Sequence, residues 1–66
     1  MIVDSSDIEV GKSYTFSQIK DVVRITTGTV TSVIRDGRFV TIQCAESGSR
    51  KIVDLSVISR IELLLD

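Results

Sequence analysis

Residues 29–44 read TVTSVIRDGRFVTIQC, two β-rich runs folded back on each other at Arg35-Asp36-Gly37. Val30, Ser32 and Ile34 alternate on one side of the first run, and Val40, Ile42 and Cys44 on one side of the second. Successive side chains swap faces, so register decides whether the two sets share a wall. A two-residue loop, Asp36-Gly37, pairs Arg35 with Arg38 and brings Val33 rather than Ile34 beside Val40. That register sets like charges opposite each other and splits the aliphatic residues between faces. A three-residue loop, Arg35-Asp36-Gly37, pairs Ile34 with Arg38, Ser32 with Val40 and Val30 with Ile42, and gathers the aliphatic residues on one face. Its third position needs a left-handed residue, and Gly37 stands there. The three-residue loop is therefore the expected turn. The opposite face carries Thr29, Thr31, Val33, Phe39, Thr41 and Gln43, polar apart from a Val33–Phe39 cross-strand pair.

The same reasoning predicts a second hairpin. Placing Val53 and Leu55 over Cys44 and Ile42 requires Ser47 to pair with Arg50 around a two-residue Gly48-Ser49 loop. Glu46 then faces Lys51, an opposite-charge pair worth roughly 0.2–1 kcal/mol. On the outer face Gln43 meets Asp54, and Ala45 meets Ile52. Ahead of these hairpins, Tyr14 and Phe16 alternate with small polar residues, so residues 12–17 read as a first strand entered through a turn at Gly11. Residues 17–21 suit one helical turn capped by Ser17. Val23 and Ile25 are apolar at odd positions, whereas the apolar set is even from Val30. This change of phase predicts a bulge or kink near Thr26-Thr27-Gly28, with Gly28 its natural site. Ser56-Val57-Ile58-Ser59 leaves room for a single 3-10 turn before a closing strand with Ile61, Leu63 and Leu65 on one face. Residues 1–9 are either a loose lead-in or an extra edge strand.

At 66 residues the chain is one small domain. Such a domain buries only roughly 60% of its unfolded surface, and self-association is a common way to add stability. With one cysteine and no histidine there is neither an internal disulfide nor a ligand set for structural zinc, and no cofactor motif is present. Cys44 reads as an inert thiol on the inward face. The chain has no apolar run of bilayer-spanning length and no basic-then-apolar leader, so the cytoplasm is the expected compartment and no membrane partner is expected. Net charge is −1, but all eight Lys and Arg fall within residues 11–61, while Asp4, Asp7, Glu9, Glu62 and Asp66 lie at the ends. If the ends meet, the domain has an acidic pole and a basic remainder.

Five short strands, a bent second strand, two tight hairpins and a one-turn link resemble the small β-barrels of the Src-homology-3 and Sm-like type. The residues that carry the likeness are Gly28-Thr29-Val30, Asp36-Gly37-Arg38-Phe39-Val40 and Leu55-Ser56-Val57-Ile58-Ser59-Arg60-Ile61. The last segment has the L-x-x-I-x-x-I spacing with which such barrels pass into their closing strand. It is also similar to the ending of the Sm-like inhibitors of the transcription terminator Rho. The resemblance implies a five-stranded, strongly bent barrel with a 3-10 turn before the last strand. It does not carry over a uridine site, because Asp36 sits in a turn and the chain has no Asn. Nor does it carry over polyproline recognition, because the proline and tryptophan of peptide-binding Src-homology domains are absent.

Three classes of function remain to be weighed. An enzyme is not expected: general base work has no histidine, and Gly11-Lys12-Ser13 lacks the upstream glycine of a phosphate loop. Nucleic-acid binding would use Arg35 and Arg38 at the first turn, Arg50 and Lys51 at the second, and Arg24, with Phe39 as a stacking platform. The competing role for Phe39 is to cover Val33 across the hairpin. Protein–protein interaction would use Val33, Phe39, Ile52 and Leu64, all expected to point outward, and would bury them in a homodimer, a higher oligomer or a partner. The N-terminal Ile2, Val3, Ile8 and Val10 could instead fold across that face. The expected function is a non-enzymatic regulatory module that binds protein and self-associates, with RNA or single-stranded DNA as the alternative ligand.

Overall fold

A computed structural model of the chain describes residues 1–34 and 37–64. Its five strands are β1 (Ser13–Gln18), β2 (Arg24–Ile34), β3 (Phe39–Cys44), β4 (Arg50–Asp54) and β5 (Arg60–Leu63). They form one antiparallel sheet in the spatial order β4-β3-β2-β1-β5. The all-β expectation holds, and among the described residues the only helical elements are the 3-10 turns Ser5–Asp7 and Leu55–Val57. No helix there is long and apolar enough to cross a membrane. β2 serves two partners, pairing with β1 from Arg24 to Thr29 and with β3 from Gly28 to Ile34. No ladder joins β4 to β5 among the described residues, and the sheet is not closed into a barrel.

Alternation explains the core. Tyr14 and Phe16 on β1, Val30 on β2, Val40, Ile42 and Cys44 on β3, Val53 on β4 and Ile61 on β5 all turn to one side and are buried with Leu55. Tyr14 also anchors the lead-in, since the Glu9 N–H donates to its hydroxyl at 2.9 Å. On the other side of β1 and β2, hydroxyls pair across the strands, Ser13 with Thr29 at 2.8 Å and Thr15 with Thr27 at 3.1 Å. Residues 1–3 take the edge-strand alternative. The Val3 N–H donates to the Ile61 carbonyl, the Leu63 N–H to the Met1 carbonyl, and Ile2 bridges Glu62. The acidic lead-in and the acidic end of β5 therefore do meet.

The first hairpin departs from the expected register. Val30 lies opposite Ile42 as expected, but a bulge shifts the later pairs to Ser32–Thr41, Val33–Val40 and Ile34–Phe39. Thr31 is the inserted residue, and its hydroxyl donates to the Thr41 carbonyl at 3.1 Å. The shift turns Ile34 to the side of Phe39, away from Val40, so these two do not share a wall and the Val33–Phe39 pair does not form. Arg38 precedes β3, whereas the expected register set it opposite Ile34. Val33 beside Val40 is the register of the two-residue alternative, so the expected three-residue pairing of Ile34 with Arg38 is overturned. Gly37 is nonetheless left-handed, at φ +83°, and Arg35 and Asp36 lie outside the described residues.

The second hairpin is displaced by four residues. Val53 faces Val40 rather than Cys44, Lys51 faces Ile42 rather than Glu46, and Ile52 faces Thr41 rather than Ala45. Gln43 faces Arg50 rather than Asp54. The connection is longer than Gly48-Ser49, closed by hydrogen bonds from the Cys44 N–H to Ser49 and from the Gly48 N–H to Cys44. The displaced register sets Val53 against Val40, both buried, and the longer loop costs only about 0.6 kcal/mol per doubling. An even displacement leaves the faces unchanged, so Val53 and Leu55 are inward as expected.

Two other expectations fail for one reason. The β1–β2 pairs run without a break from Gln18–Arg24 to Ser13–Thr29, so Gly28 is not a bulge. Val23 and Ile25 are simply on the outside, and the inward even-numbered set begins at Thr26. Nor does a helical turn follow Ser17; β1 continues to Gln18, and the connection bends through Asp21 in the left-handed region at φ +70°.

The 3-10 turn expected in residues 56–59 is present but begins one residue earlier, at Leu55–Val57, and has a clear cap. Asp54 accepts from the Ser56 N–H at 3.0 Å and from the Ser56 hydroxyl at 2.7 Å, with Arg38 Nε 3.5 Å away. The Ser56 hydroxyl, then the Ser56 N–H, hold the carboxyl below its ordinary pKa, with a smaller contribution from Arg38. A lowered folded pKa supplies stability above the unfolded value that is lost as pH falls through the folded one. Asp54→Ala should therefore lower the urea midpoint at pH 7, by a small amount because the site is open to solvent. The gap from the wild type should close at acid pH below the ordinary carboxylate range. An undiminished gap at low pH would show that the ionised carboxylate is not what holds the turn.

Candidate interaction surface

The four residues expected to form an apolar patch do not lie together. Phe39 and Ile52 are diagonal neighbours on the outer face of the β3–β4 pair, with Ile34 across from Phe39. Val33 pairs with Val40, near the end of β2 and on the other side of the sheet. Leu64 follows β5 beside β1, where its N–H donates to Ser13, at the far edge of the sheet from β4. Phe39 is half-buried, with the Arg38 guanidinium 5.2 Å from its ring centroid. Ile52 is 68% exposed.

A different feature brings exposed residues together. β2 and β4 are separated in the sheet by β3, yet both line a cleft of about 340 Å³ that holds Arg24, Thr26, Lys51, Val53 and Ile58. Ile52 forms part of its rim. A second cleft of about 500 Å³ continues it past Thr26 and Lys51 toward Cys44 and Ser47, and Ile25, 66% exposed, lines that part. The two clefts run along the open side of the sheet. Among the described residues, Arg24, Ile25 and Thr26 pair only with β1 and β4 pairs only with β3, so each presents a free backbone edge there. Unpaired strand edges are templates for another strand.

The basic residues divide in the same way. Arg38 is engaged by Phe39 and Asp54, and Arg35 lies outside the described residues. Arg50 projects on the outer face opposite Gln43. Arg24 and Lys51, remote in sequence, line one cleft, and neither has an ion-pair partner among the described residues. Lys51 stands on the inward side of β4, opposite Ile42, where alternation would suit an apolar residue.

Sequence reasoning missed Ile25, Thr26 and the cleft itself. The available signal was the even phase of Thr26, Gly28 and Val30; extended back one turn of alternation, it leaves Ile25 outside and aims Arg24 at the open side. No family model matches this chain, and neither does any curated protein or solved structure.

Proposed function

We propose that this domain is a non-enzymatic, cytoplasmic binding module that engages protein through the open side of its sheet, around Ile52 and Ile25. One observation carries the reading: among the described residues β4 leaves a backbone edge unpaired beside a cleft lined in part by Val53, Val57 and Ile58, with exposed isoleucines on its rim. An added strand would satisfy that edge and cover the isoleucines, the mode of recognition known as β-augmentation. The same reading extends the likeness to small Src-homology-3 and Sm-like barrels. Five strands, a second strand shared between two ladders and a 3-10 turn before the last strand support a barrel that is open on one side until a partner closes it.

Selection of a displayed library of random peptides on the immobilised chain tests this. Wild type should enrich a family of sequences, and Ile25→Ser/Ile52→Ser should enrich none while keeping the wild-type circular dichroism spectrum. Sedimentation equilibrium of the same two proteins checks for self-association through this face. No enrichment, together with a monomer at all concentrations, would overturn the reading. The second reading, nucleic-acid binding, is favoured by the convergence of Arg24 and Lys51; it requires salt-dependent binding of single strands that is lost on reversing those charges.

A further inference from the structure

Resting on that protein-binding reading, we infer that the cleft between β2 and β4 takes an extended acidic peptide, in which two aliphatic residues are followed by two carboxylates. The inference comes from the order of residues along β4. Arg50, Lys51, Ile52 and Val53 present a cation and then an aliphatic side chain on each side of the strand. Lys51 and Val53 face the cleft, and Arg50 and Ile52 the outer surface. Cross-strand neighbours are the unit of sheet recognition, and unlike charges or paired aliphatics directly opposite each other are favourable. A strand antiparallel to β4 therefore meets Val53, Ile52, Lys51 and Arg50 in that order. It matches them with two aliphatic residues and then two acids. The acid opposite Lys51 points into the cleft, where Arg24 stands on the opposite wall.

Three further facts favour a peptide over a nucleic acid here. No aromatic ring lines either part of the cleft, so a base has nothing to stack on. Val53, Val57 and Ile58 give it aliphatic lining, and of the two carboxylates that also line it, Asp54 is held by Ser56 and Arg38 while Glu46 lies in the second part. The walls offer unpaired backbone edges, which a peptide strand satisfies and a phosphodiester does not. An inward lysine on an edge strand also has a purely defensive role, in which it blocks sheet-to-sheet association. That role predicts no preference for acidic peptides.

Fluorescence anisotropy on the full chain separates these roles. The probes are a fluorescein-labelled octapeptide with Val-Ile-Glu-Glu in a Ser/Thr frame, its Lys-Lys counterpart, a rearranged peptide with the glutamates apart, and a labelled oligo(dT). The Glu-Glu peptide should bind saturably and at least tenfold more tightly than any other probe, weakening as salt is raised. Arg24→Glu/Lys51→Glu should lose at least tenfold for Glu-Glu and gain for Lys-Lys; Arg24→Gln/Lys51→Gln serves if the reversal does not fold. No saturable binding of the Glu-Glu peptide would overturn the inference. Equal binding of all peptides, tighter binding of oligo(dT), or indifference to both double variants would do the same. The two readings fail separately: a library that enriches non-acidic sequences dependent on Ile25 and Ile52 sinks the acidic partner and leaves the protein-binding module standing.

Discussion

Phe16→Ala should abolish the cooperative fold or leave it barely populated at 25 °C. Phe16 has no exposed surface, and its strand neighbours are Thr26 on β2 and Ile61 on β5, so one ring spans three strands. Tyr14 lies beside it with ring centroids 6.0 Å apart. Truncating a buried phenylalanine costs about 3–5 kcal/mol, the sum of lost transfer free energy and an unfilled cavity. A domain of this length holds roughly 3–10 kcal/mol in all. The loss is thus comparable with the whole. At about 4–8 °C per kcal/mol for so small a domain, the thermal midpoint should drop by at least ~12 °C. Collapse around the cavity is poorly served, because Thr26 is small and Ile61 is held in the β1–β5 ladder. Thermal melts followed by circular dichroism check this. A shift of only a few degrees would mean that the core is centred elsewhere, with Ile42 and Val40 the next places to look.

That Phe16 belongs in the core was readable in advance, as were most inward positions. Tyr14 and Phe16 alternate with residues too small and polar for any other role. Val30 against Ile42 follows from the pattern of the hairpin, and the four residues after Leu55 admit little besides a 3-10 turn. What alternation cannot supply is how far one strand slides along another in steps that preserve parity. The displacement of β4 by four residues leaves every inward side chain inward, so alternation does not distinguish the two registers. The bulge at Thr31 was illegible for a related reason. Two registers were each consistent with part of the hairpin, and an inserted residue lets both hold, one on either side of it. The cleft was hidden more deeply. Arg24 and Lys51 meet because β2 and β4 approach across the open side of the sheet, a contact between strands that are not hydrogen-bonded neighbours. Local pattern reaches hairpins; it does not reach the curvature of the whole.

Gly28→Ala should destabilise the domain by about 1–3 kcal/mol or more, against the direction that strand propensity predicts. Alanine in a strand interior is ordinarily favoured over glycine by roughly 0.5–1 kcal/mol, since glycine has more freedom to lose. At Gly28 that gain is outweighed. A Cβ there would lie 2.5 Å from the Gln43 carbonyl oxygen, 3.1 Å from its carbon and 3.1 Å from Ile42 Cδ1. The obstructing atoms are mostly backbone, and Gln43 is held in ladders with Thr29 on one side and Arg50 on the other. It cannot withdraw without opening the sheet where β2 passes from β1 to β3. The strain should therefore appear in two measurements. The urea midpoint should fall with little change in the dependence on urea, and amide exchange should accelerate at Val30 and Ile42 before it does at Phe16. Gly28→Val should be worse, because the added methyls enter the same space. An alanine variant as stable as the wild type would show that β2 and β3 do not cross this closely, and would remove the handover that sets β4 opposite Arg24.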